Sequence, residues 1–216
     1  MNKELITTRD GSHSIFIPSL NETYHSRYGS IQESMHVFIK NGMMYHKKKK
    51  VNILEIGLGT GLNAFLTFKE KYNKDIYFVS LEPYPICKDI YTKLNFTKII
   101  KDNNQALLKI HDSRWEKDIK ISDDFTIHKT KSTLQKYFSS IKFDIIYFDA
   151  FAPEKQPDMW QSEILKKCFL LLNQNGFLVT YCAKGSVKRT MSTIGFEIES
   201  LPGPIGKREM IRASRI

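Results

Sequence analysis

The stretch LEIGLGTGLN (Leu54–Asn63) decides the fold of this chain. It follows an apolar run that is typical of a buried strand, and it leads directly into a helical pattern. Gly57, Gly59 and Gly61 allow the backbone to turn sharply and to approach a ligand closely. Because the loop lies between a strand and a helix, it predicts a ligand-binding site at this position.

Strand and helix patterns alternate from this loop to the end of the chain. Strands are predicted at 51–57, 75–83, 125–130, 143–150, 176–183, 196–202 and 209–214, and helices at 62–72, 86–95, 133–140, 161–173 and 186–194. Such alternation is typical of a mostly parallel sheet with helices on both faces. The prediction is therefore an α/β, Rossmann-like fold with a seven-stranded sheet.

The first 45 residues follow a different pattern. Short β-prone pieces flank Asp10 and Gly11, which is a hairpin signal, and residues 30–41 place Ile31, Met35 and Phe38 on one helical face. We expect one compact domain overall, in which residues 1–45 form a small β/α extension that contributes to the substrate site. Residues 46–216 form the catalytic fold.

The residues around the glycine loop distinguish between adenosine cofactors. The dinucleotide fingerprint GxGxxG needs glycine where this chain has Leu62. Glu82 ends the second strand of the alternating region, where a carboxylate can bind both hydroxyls of a ribose. Glu55 would repel a pyrophosphate but suits a cofactor that carries an amino group and a sulfonium. This combination favours S-adenosyl-L-methionine.

A second unusual stretch, DAFAPEKQPDMW (Asp149–Trp160), follows the apolar run at 143–148. In parallel sheets, ligands bind at the carboxyl ends of the strands, and Asp149 lies at such an end. A carboxylate there can orient a nucleophilic amine, stabilise the ammonium that forms, or accept its proton. A simple connecting loop does not need the aromatic and proline residues that follow Asp149.

The composition limits the classes of protein. The chain has 216 residues and a formal charge of +10, and residues 184–216 carry seven basic and three acidic side chains. A basic balance favours a polyanionic partner, although Lys-rich sequences that bind no nucleic acid are common. There is no long apolar run and no signal-peptide pattern, and three scattered cysteines form no metal-binding pair. We expect a cytoplasmic, metal-free protein with reduced thiols.

Four motifs together carry a resemblance to a known family. LEIGLGTGLN, LEP at 81–83, DAFAPEKQPDMW and the late GPIGKREM at 203–210 resemble the tRNA 5-methylaminomethyl-2-thiouridine methyltransferases. The resemblance runs from about Tyr24 to the C-terminus, and DAFAPEKQPDMW is its most specific part. It implies a class I S-adenosyl-L-methionine-dependent fold and methylation of the aminomethyl nitrogen of a wobble uridine in tRNA. It also implies a methyltransferase domain without the fused flavin-dependent oxidase, so that a separate enzyme would supply the aminomethyl precursor.

The resemblance also implies roles for individual residues. Asp149 is the expected catalytic residue. The expected cofactor-binding residues are Glu55, Gly57, Gly59, Gly61, Asn63, Glu82, Ser132, Thr133 and Asp149. The expected substrate-binding residues are Tyr24, Glu33, Ser34, Phe151, Pro153, Trp160, Lys184, Lys188, Arg189, Lys207 and Arg208. For Trp160, packing in the core is the equal alternative, and for the basic residues it is simple surface solvation.

The chain departs from the family pattern after the third predicted strand. A Gly-Asp pair, whose carboxylate binds the adenine amino group, usually stands there, but this chain has Ser132 and Thr133. A hydroxyl can still accept a hydrogen bond from that amine, although more weakly than a carboxylate.

Four other readings stay open on the sequence. A polyamine aminopropyltransferase would share the sheet and the glycine loop but needs several acids to bind a free polycation. Another small-molecule methyltransferase would also share the fold. A non-catalytic RNA-binding module should have lost the cofactor acids, yet Glu55 and Glu82 are both present. A NAD-linked oxidoreductase is disfavoured by Leu62.

Overall fold

A computed structural model describes residues 3–216 of the chain. Its centre is an eight-stranded sheet whose strands, from one edge to the other, span residues 197–202 (β10), 209–214 (β11), 172–180 (β9), 143–148 (β8), 50–56 (β4), 75–81 (β5), 125–130 (β7) and 118–122 (β6). The five central strands, from β9 to β7 in that order, pair in parallel, and the three pairings at the edges are antiparallel. The predicted α/β architecture is therefore confirmed.

The elements have the following bounds. The strands are β1 (Glu4–Thr7), β2 (His13–Ile17), β3 (Glu22–Thr23), β4 (Lys50–Ile56), β5 (Asp75–Leu81), β6 (Asp118–Ser122), β7 (Phe125–Thr130), β8 (Phe143–Phe148), β9 (Leu172–Thr180), β10 (Glu197–Pro202) and β11 (Glu209–Ser214). The α-helices are α1 (Ser30–Ser34), α2 (Leu62–Glu70), α3 (Lys88–Tyr91), α4 (Phe96–Ile99), α5 (Gln105–Asp112), α6 (Ser162–Leu171) and α7 (Gly185–Ile194).

The central strands are apolar on both faces because helices cover both sides of the sheet. Every residue of β8 is buried, including Phe143, Ile145 and Tyr147. Alternate residues of the strands pack into two separate apolar clusters: Tyr147 belongs to one, and Phe148 to the other. This burial on both faces explains the nearly continuous apolar runs in the sequence.

The N-terminal residues form a small three-stranded sheet, β1-β2-β3, and then a helix. The predicted hairpin is confirmed by the antiparallel pairing of β1 and β2 around Asp10 and Gly11. The predicted helix is present as α1, which continues without interruption as a π-helical segment, Met35–Met43. Phe38 on this segment is buried against Tyr147 of β8, with ring centroids 5.2 Å apart, so the N-terminal residues share a core with the sheet.

Two predicted elements differ in the structure. The sheet has an eighth strand, β6, which pairs with β7 at the edge. The helix predicted over 133–140 is wrong: Leu134 is buried, but only a single turn forms and Phe138 is 86% exposed. Leu134 and Tyr137 pack against the core, but two such contacts within a short segment do not stabilise further turns. The helix predicted over 86–95 is reduced to the four residues of α3.

Within residues 3–216, each helix is too short or too polar to cross a lipid bilayer.

Candidate active site

A cleft of about 1450 Å³ opens at the carboxyl ends of the parallel strands. The loops after β4, β5, β7 and β8 line it, and the segment 22–26 and the β10–β11 loop complete its wall. This is the edge where parallel α/β sheets bind their ligands, because the loops of adjacent strands diverge there. The two sequence stretches singled out above therefore meet in one cavity.

The glycine loop forms one wall of this cleft. Gly59 has φ +51°, and a Cβ atom added to it would meet only a Tyr24 ring carbon, at 3.8 Å, so its backbone faces open space. Gly57 has φ +93°, and its Cβ position lies 3.3 Å from the carbonyl oxygen of Asp149. Both backbone conformations favour glycine, and both residues line the cleft. Gly61 lies behind the loop instead, against the ring of His111.

Glu82 braces the loop from the neighbouring strand end. Its Oε2 accepts a hydrogen bond from the Gly59 amide at 2.9 Å, and its Oε1 accepts one from the Tyr84 amide at 2.8 Å. An ionised carboxylate has about four acceptor positions, so two backbone donors leave capacity for the hydroxyls of a ribose. Ser132 and Thr133 also line the cleft, after β7. The loop and these residues together fit an adenosine cofactor.

Glu55 does not line the cleft, contrary to its predicted contact with the cofactor. Its side chain is 0% exposed, and its Oε2 accepts a hydrogen bond from the Ser80 hydroxyl at 2.5 Å. Its Oε1 has no hydrogen-bond partner among the described residues. Burial raises the pKa of Glu55 well above its ordinary value, and the nearby carboxylate of Asp149 adds to this. An acid that is enclosed in the core cannot contact a cofactor in the cleft, so the predicted role of Glu55 in cofactor binding is wrong.

Asn63 also lies beneath the cleft surface, in the first turn of α2. It is 2% exposed, and its Nδ2 donates a hydrogen bond to Oδ2 of Asp149 at 2.9 Å. Its position supports Asp149 rather than a direct cofactor contact.

Asp149 stands on the cleft wall immediately after β8. Loss of hydration in the cleft raises the pKa of Asp149 to about 7, and the carboxylate of Glu33 raises it further; the bond from Asn63 and the charge of Lys207 act in the opposite direction. A carboxyl group with this pKa changes charge close to physiological pH, which is uncommon for aspartate.

Of the predicted substrate residues, Tyr24, Glu33, Phe151 and Lys207 line the cleft. The rings of Tyr24 and Phe151 stack with centroids 5.6 Å apart and an interplanar angle of 19°. They join the N-terminal segment to the loop after β8. This pair presents an aromatic surface beside Asp149.

Three other predicted substrate residues lie outside the cleft. Trp160 is 7% exposed; its ring packs against Phe148, and its Nε1 donates a hydrogen bond to the Phe151 carbonyl at 2.8 Å. It therefore supports the loop from the core side, as the alternative reading held. Ser34 is fully buried in α1, and Pro153 lies on the part of the loop that turns away from the cavity.

Most of the predicted basic contacts also lie outside the cleft. Lys184 pairs with Glu154, and Lys188 pairs with Glu209 while also donating a hydrogen bond to the Ser200 hydroxyl at 2.7 Å. Arg189 is exposed on α7, and Arg208 lies in the β10–β11 loop. These side chains are on the surface near the cleft rather than in it.

His25 lines the cleft, but its ring is already engaged. Its Nε2 lies 2.7 Å from the Thr60 hydroxyl, and burial lowers the pKa of His25 to about 4. The imidazole is therefore neutral at physiological pH, which suits a residue that joins the N-terminal segment to the glycine loop.

The sequence did not reveal three further residues of the cleft wall: Tyr181, Lys155 and Gln156. The Tyr181 hydroxyl donates to the carbonyl of Ala150 at 2.9 Å, and the Lys155 ammonium donates to the Leu20 carbonyl at 2.9 Å. Tyr181 follows a strand whose own pattern is ordinary, and the unusual stretch that contains Lys155 and Gln156 does not by itself show which of its side chains face the cavity, so only the three-dimensional arrangement identifies them. An aromatic residue just after β9 was the one available signal for Tyr181.

Comparison with known proteins agrees with this geometry. A family model described as S-adenosyl-L-methionine-dependent methyltransferase matches residues 93–216, more than half of the chain. The chain is similar to the tRNA 5-methylaminomethyl-2-thiouridine biosynthesis bifunctional protein MnmC of Hydrogenovibrio crunogenus, with 27% identity over 88% of this chain and 31% of that protein. It is 30% identical to the protein of the same name from Leptospira interrogans, over 90% of this chain and 32% of that protein.

Among solved structures, the chain is similar to the crystal structure of MNMC2 from Aquifex aeolicus. The TM-score is 0.81 at 22% identity, and the match covers 100% of this chain and 70% of that one. This similarity and the family match confirm the predicted class I methyltransferase fold. The chain spans about a third of the length of the MnmC proteins that it matches.

Proposed function

The chain belongs to a family of S-adenosyl-L-methionine-dependent methyltransferases, and we propose that it methylates the aminomethyl nitrogen of 5-aminomethyl-2-thiouridine at the wobble position of tRNA. The product is 5-methylaminomethyl-2-thiouridine. The observation that carries this proposal is the position of Asp149, with a pKa near neutrality, in the same cleft as the glycine loop. The names of the MnmC relatives supply the identity of the nucleoside.

S-adenosyl-L-methionine supplies an electrophilic methyl group and a sulfur leaving group. The backbone at Gly57 and Gly59 would hold the cofactor, and Glu82, which braces Gly59, would bind its ribose. The hydroxyls of Ser132 and Thr133 take the place of the family's usual adenine-binding carboxylate. The open space at Gly59 allows the close approach that a larger side chain would prevent.

The substrate nitrogen must lose its charge before it can attack. A primary alkylamine has a pKa near that of lysine, about 10.4, so holding it neutral at pH 7.4 costs about 4 kcal/mol. The positive sulfonium beside it lowers that cost by like-charge repulsion. The nitrogen lone pair then forms the bond to the methyl carbon while the carbon–sulfur bond breaks and sulfur keeps the electron pair.

Asp149 orients the amine and receives the proton that leaves the nitrogen. A carboxylate with a pKa of about 7 is a stronger proton acceptor than an ordinary aspartate and is still ionised in about half of the molecules at that pH. The Asn63 amide holds one of its oxygens from below, so the other is free to face the cavity. Most of the rate comes from placing nitrogen, methyl carbon and sulfur in line.

The aromatic pair Tyr24 and Phe151 holds the uridine in the cleft. A base that reacts must leave its stack in the anticodon loop, and extruded bases are commonly held against aromatic rings. The phosphates of tRNA interact with the positive surface near the cleft, where the exposed Arg189 and its neighbours on α7 are the candidates.

The test is methylation of tRNA by the purified chain. Incubation of aminomethyl-bearing tRNA with S-adenosyl-L-methionine should convert 5-aminomethyl-2-thiouridine to its methylated form, as read by nucleoside mass spectrometry. The same tRNA with an unmodified wobble uridine is the matched control and should stay unmethylated. Binding of S-adenosyl-L-methionine without any methylation of aminomethyl-bearing tRNA would contradict the proposal.

The same assay distinguishes the proposed methyltransferase from an aminopropyltransferase. Five acids (Glu22, Glu33, Glu82, Asp149 and Asp158) and four lysines (Lys3, Lys136, Lys155 and Lys207) line the cleft. Decarboxylated S-adenosyl-L-methionine with putrescine should give no product, because the lysines oppose a polycation and two of the acids are already engaged, Glu33 by Lys207 and Glu82 by backbone amides. Formation of spermidine would favour that alternative instead.

A further inference from the structure

An ion pair crosses the mouth of the cleft between two segments that are far apart in sequence. Glu33 on α1 pairs through Oε1 with the ammonium of Lys207 in the β10–β11 loop. The other oxygen of Glu33 accepts a hydrogen bond from the Ser26 amide at 2.8 Å. The Lys207 ammonium also lies over the ring of Tyr181, 4.0 Å from its centroid. Lys207 thus has a carboxylate and an aromatic face as partners inside the cavity.

The loop that carries Lys207 is itself fixed to the N-terminal segment. Gly206 has φ +85°, and a Cβ atom there would lie 2.3 Å from the ring of Tyr28, so the backbone and the ring are in direct contact. On the π-helical segment that follows α1, His36 Nε2 lies 2.7 Å from the carbonyl oxygen of Pro202. These contacts hold Lys207 over the cavity. A lysine held in this way is poorly placed to reach outward to a phosphate of the predicted tRNA substrate.

Glu33 and Lys207 are also the charged pair that acts on Asp149. The carboxylate of Glu33 raises the pKa of Asp149, and the ammonium of Lys207 lowers it. The titratable and charged groups that face Asp149 are Glu33 on α1, Lys207 in the β10–β11 loop, Glu55 at the end of β4 and Tyr181 after β9. Burial raises the pKa of both Glu55 and Tyr181, which disfavours the charged form of each.

We propose that Lys207 is a positioning residue which, through its ion pair with Glu33, balances the charge beside Asp149 so that this carboxylate can take the proton that leaves the substrate amine. The reaction in this statement rests on the proposed function. The arrangement itself does not, because the ion pair and Asp149 line the same cavity in the absence of substrate, and Lys207 lies over the ring of Tyr181, whose hydroxyl donates to the carbonyl of Ala150 next to Asp149. Glu33 belongs to the N-terminal segment and Lys207 to the C-terminal hairpin, so the base is completed only when both segments are folded against the sheet.

The sign of each substitution follows from the charges. Glu33→Gln removes the anion and leaves Lys207 positive beside Asp149, so the pKa of Asp149 should fall by about one unit. Lys207→Met removes the cation and leaves Glu33 unpaired, so that pKa should rise by about one unit. The double variant removes both charges, and its value should return close to that of the unaltered protein. Lys207→Arg keeps the charge and should leave the pKa of Asp149 unchanged.

The measurement is an NMR titration of the substrate-free protein labelled with carbon-13 at the aspartate side-chain carboxyl. The Asp149 signal is identified by its disappearance in Asp149→Asn. The matched control is Lys48→Met, which breaks a similar pair with Asp144 near the opposite end of β8 and should not move the Asp149 midpoint. Opposite shifts in the two single variants, cancelling in the double variant, support the proposal.

Several results would overturn it. If the Asp149 midpoint is the same in Glu33→Gln as in the unaltered protein, the pair does not act on Asp149; this variant alone decides if Lys207→Met fails to fold. If Lys207→Met weakens tRNA binding and flattens its salt dependence without moving the midpoint, Lys207 is a phosphate contact. These titrations need no substrate, so they stand whether or not the chain methylates tRNA.

A second readout connects the pair to the reaction. In single-turnover methylation of aminomethyl-bearing tRNA, the rising limb of the pH–rate profile should move in the same direction as the Asp149 midpoint in each variant. Midpoints that shift while the limb stays in place would remove Asp149 from the rate-limiting proton transfer and would contradict the mechanistic part of the proposal. Absence of methylation in every variant and in the unaltered chain would instead contradict the proposed function alone.

Discussion

Two aspartates near opposite ends of β8 have pKa values that are shifted in opposite directions. Asp144, at the start of β8, is 5% exposed, and burial alone would raise its pKa. Three donors outweigh that effect and hold the pKa of Asp144 below its ordinary value: the Asn52 amide at 2.9 Å, the Lys48 ammonium at 2.9 Å and the Asn173 side-chain amide at 3.0 Å.

Asp149, which follows the same strand, has one such donor among the described residues, Asn63, and a negative neighbour in Glu33. Loss of hydration prevails there, and the pKa of Asp149 rises to about 7. Loss of hydration raises the pKa at both sites, so it does not by itself decide the direction of the shift. The donors and charges around each carboxylate decide whether that effect is outweighed. The predictions that follow test this contrast.

The largest expected effect is on catalysis by Asp149→Asn. This variant keeps the size of the side chain but removes its charge, so kcat should fall by about 10²-fold or more, as for the loss of other preorganised electrostatic groups. KM for tRNA should change little, because phosphate contacts lie elsewhere. Single-turnover methylation measures both, and higher pH should restore part of the rate if Asp149 mainly removes a proton. Turnover close to that of the unaltered protein would mean that Asp149 is structural.

The complementary variant, Asp144→Asn, should affect stability instead. An amide cannot accept from all three donors, so one of them remains buried and unsatisfied, and the free energy of unfolding should fall by about 1–3 kcal/mol. Urea denaturation gives this value, and kcat should remain close to that of the unaltered protein. A large loss of kcat with unchanged stability would show that the two ends of the strand are not functionally distinct.

The pH dependence of stability should have opposite signs at the two sites. The folded-state pKa of Asp149 is raised from 3.8 to about 7, so its contribution to stability is present at low pH and is lost as pH rises through 7. The folded-state pKa of Asp144 is lowered, so the contribution of Asp144 to stability is present above its ordinary pKa and is lost as pH falls below that value.

Thermal melting of Asp149→Asn can detect this difference. The Tm of the variant minus the Tm of the unaltered protein should be more positive at about pH 8 than at about pH 5. The reason is that the variant removes a buried charge that forms only at the higher pH. A Tm difference that is the same at both pH values would show that Asp149 is ionised normally in the folded protein.

The smallest expected effect is on the salt dependence of tRNA binding and concerns the basic surface of α7. Combined Lys188→Ala and Arg189→Ala, on the first turns of α7, should reduce the salt dependence of tRNA binding by about one unit of slope for each lost phosphate contact. Since Lys188 is already paired with Glu209, Arg189 should account for most of the change. The control Lys48→Ala, away from the cleft, should leave the slope unchanged, and S-adenosyl-L-methionine affinity should be unaltered in both. Equal slopes in all three proteins would remove these α7 residues from the interface.

The sequence was most informative where a pattern has a local cause. Apolar runs bounded by polar residues predicted the five parallel strands, because a parallel strand is buried on both faces and must be apolar along its length. The glycine loop was predictable because Gly57 and Gly59 adopt conformations that other residues avoid. Asp149 could be placed at a strand end from the run that precedes it. Failure came at residues 133–140, where a local helical pattern makes too few contacts with the core to form more than a single turn.

The site depended on information that no local pattern contains. Glu55 and Asp149 both lie at the carboxyl ends of adjacent strands, but Glu55 points into the core and Asp149 into the cleft. Trp160, although it belongs to the most specific motif, supports the loop from the core side.

The chain by itself therefore determined the elements, their order and the edge of the sheet at which a ligand binds. These follow from backbone preferences and from the burial of each element. Only the tertiary structure decided which polar groups share the cavity, which of them are neutral, and that Glu33 and Lys207 meet beside Asp149. The reason is physical: a pKa depends on hydration and on charges within a few ångströms, and residues 33, 149 and 207 approach one another only when the whole sheet is assembled.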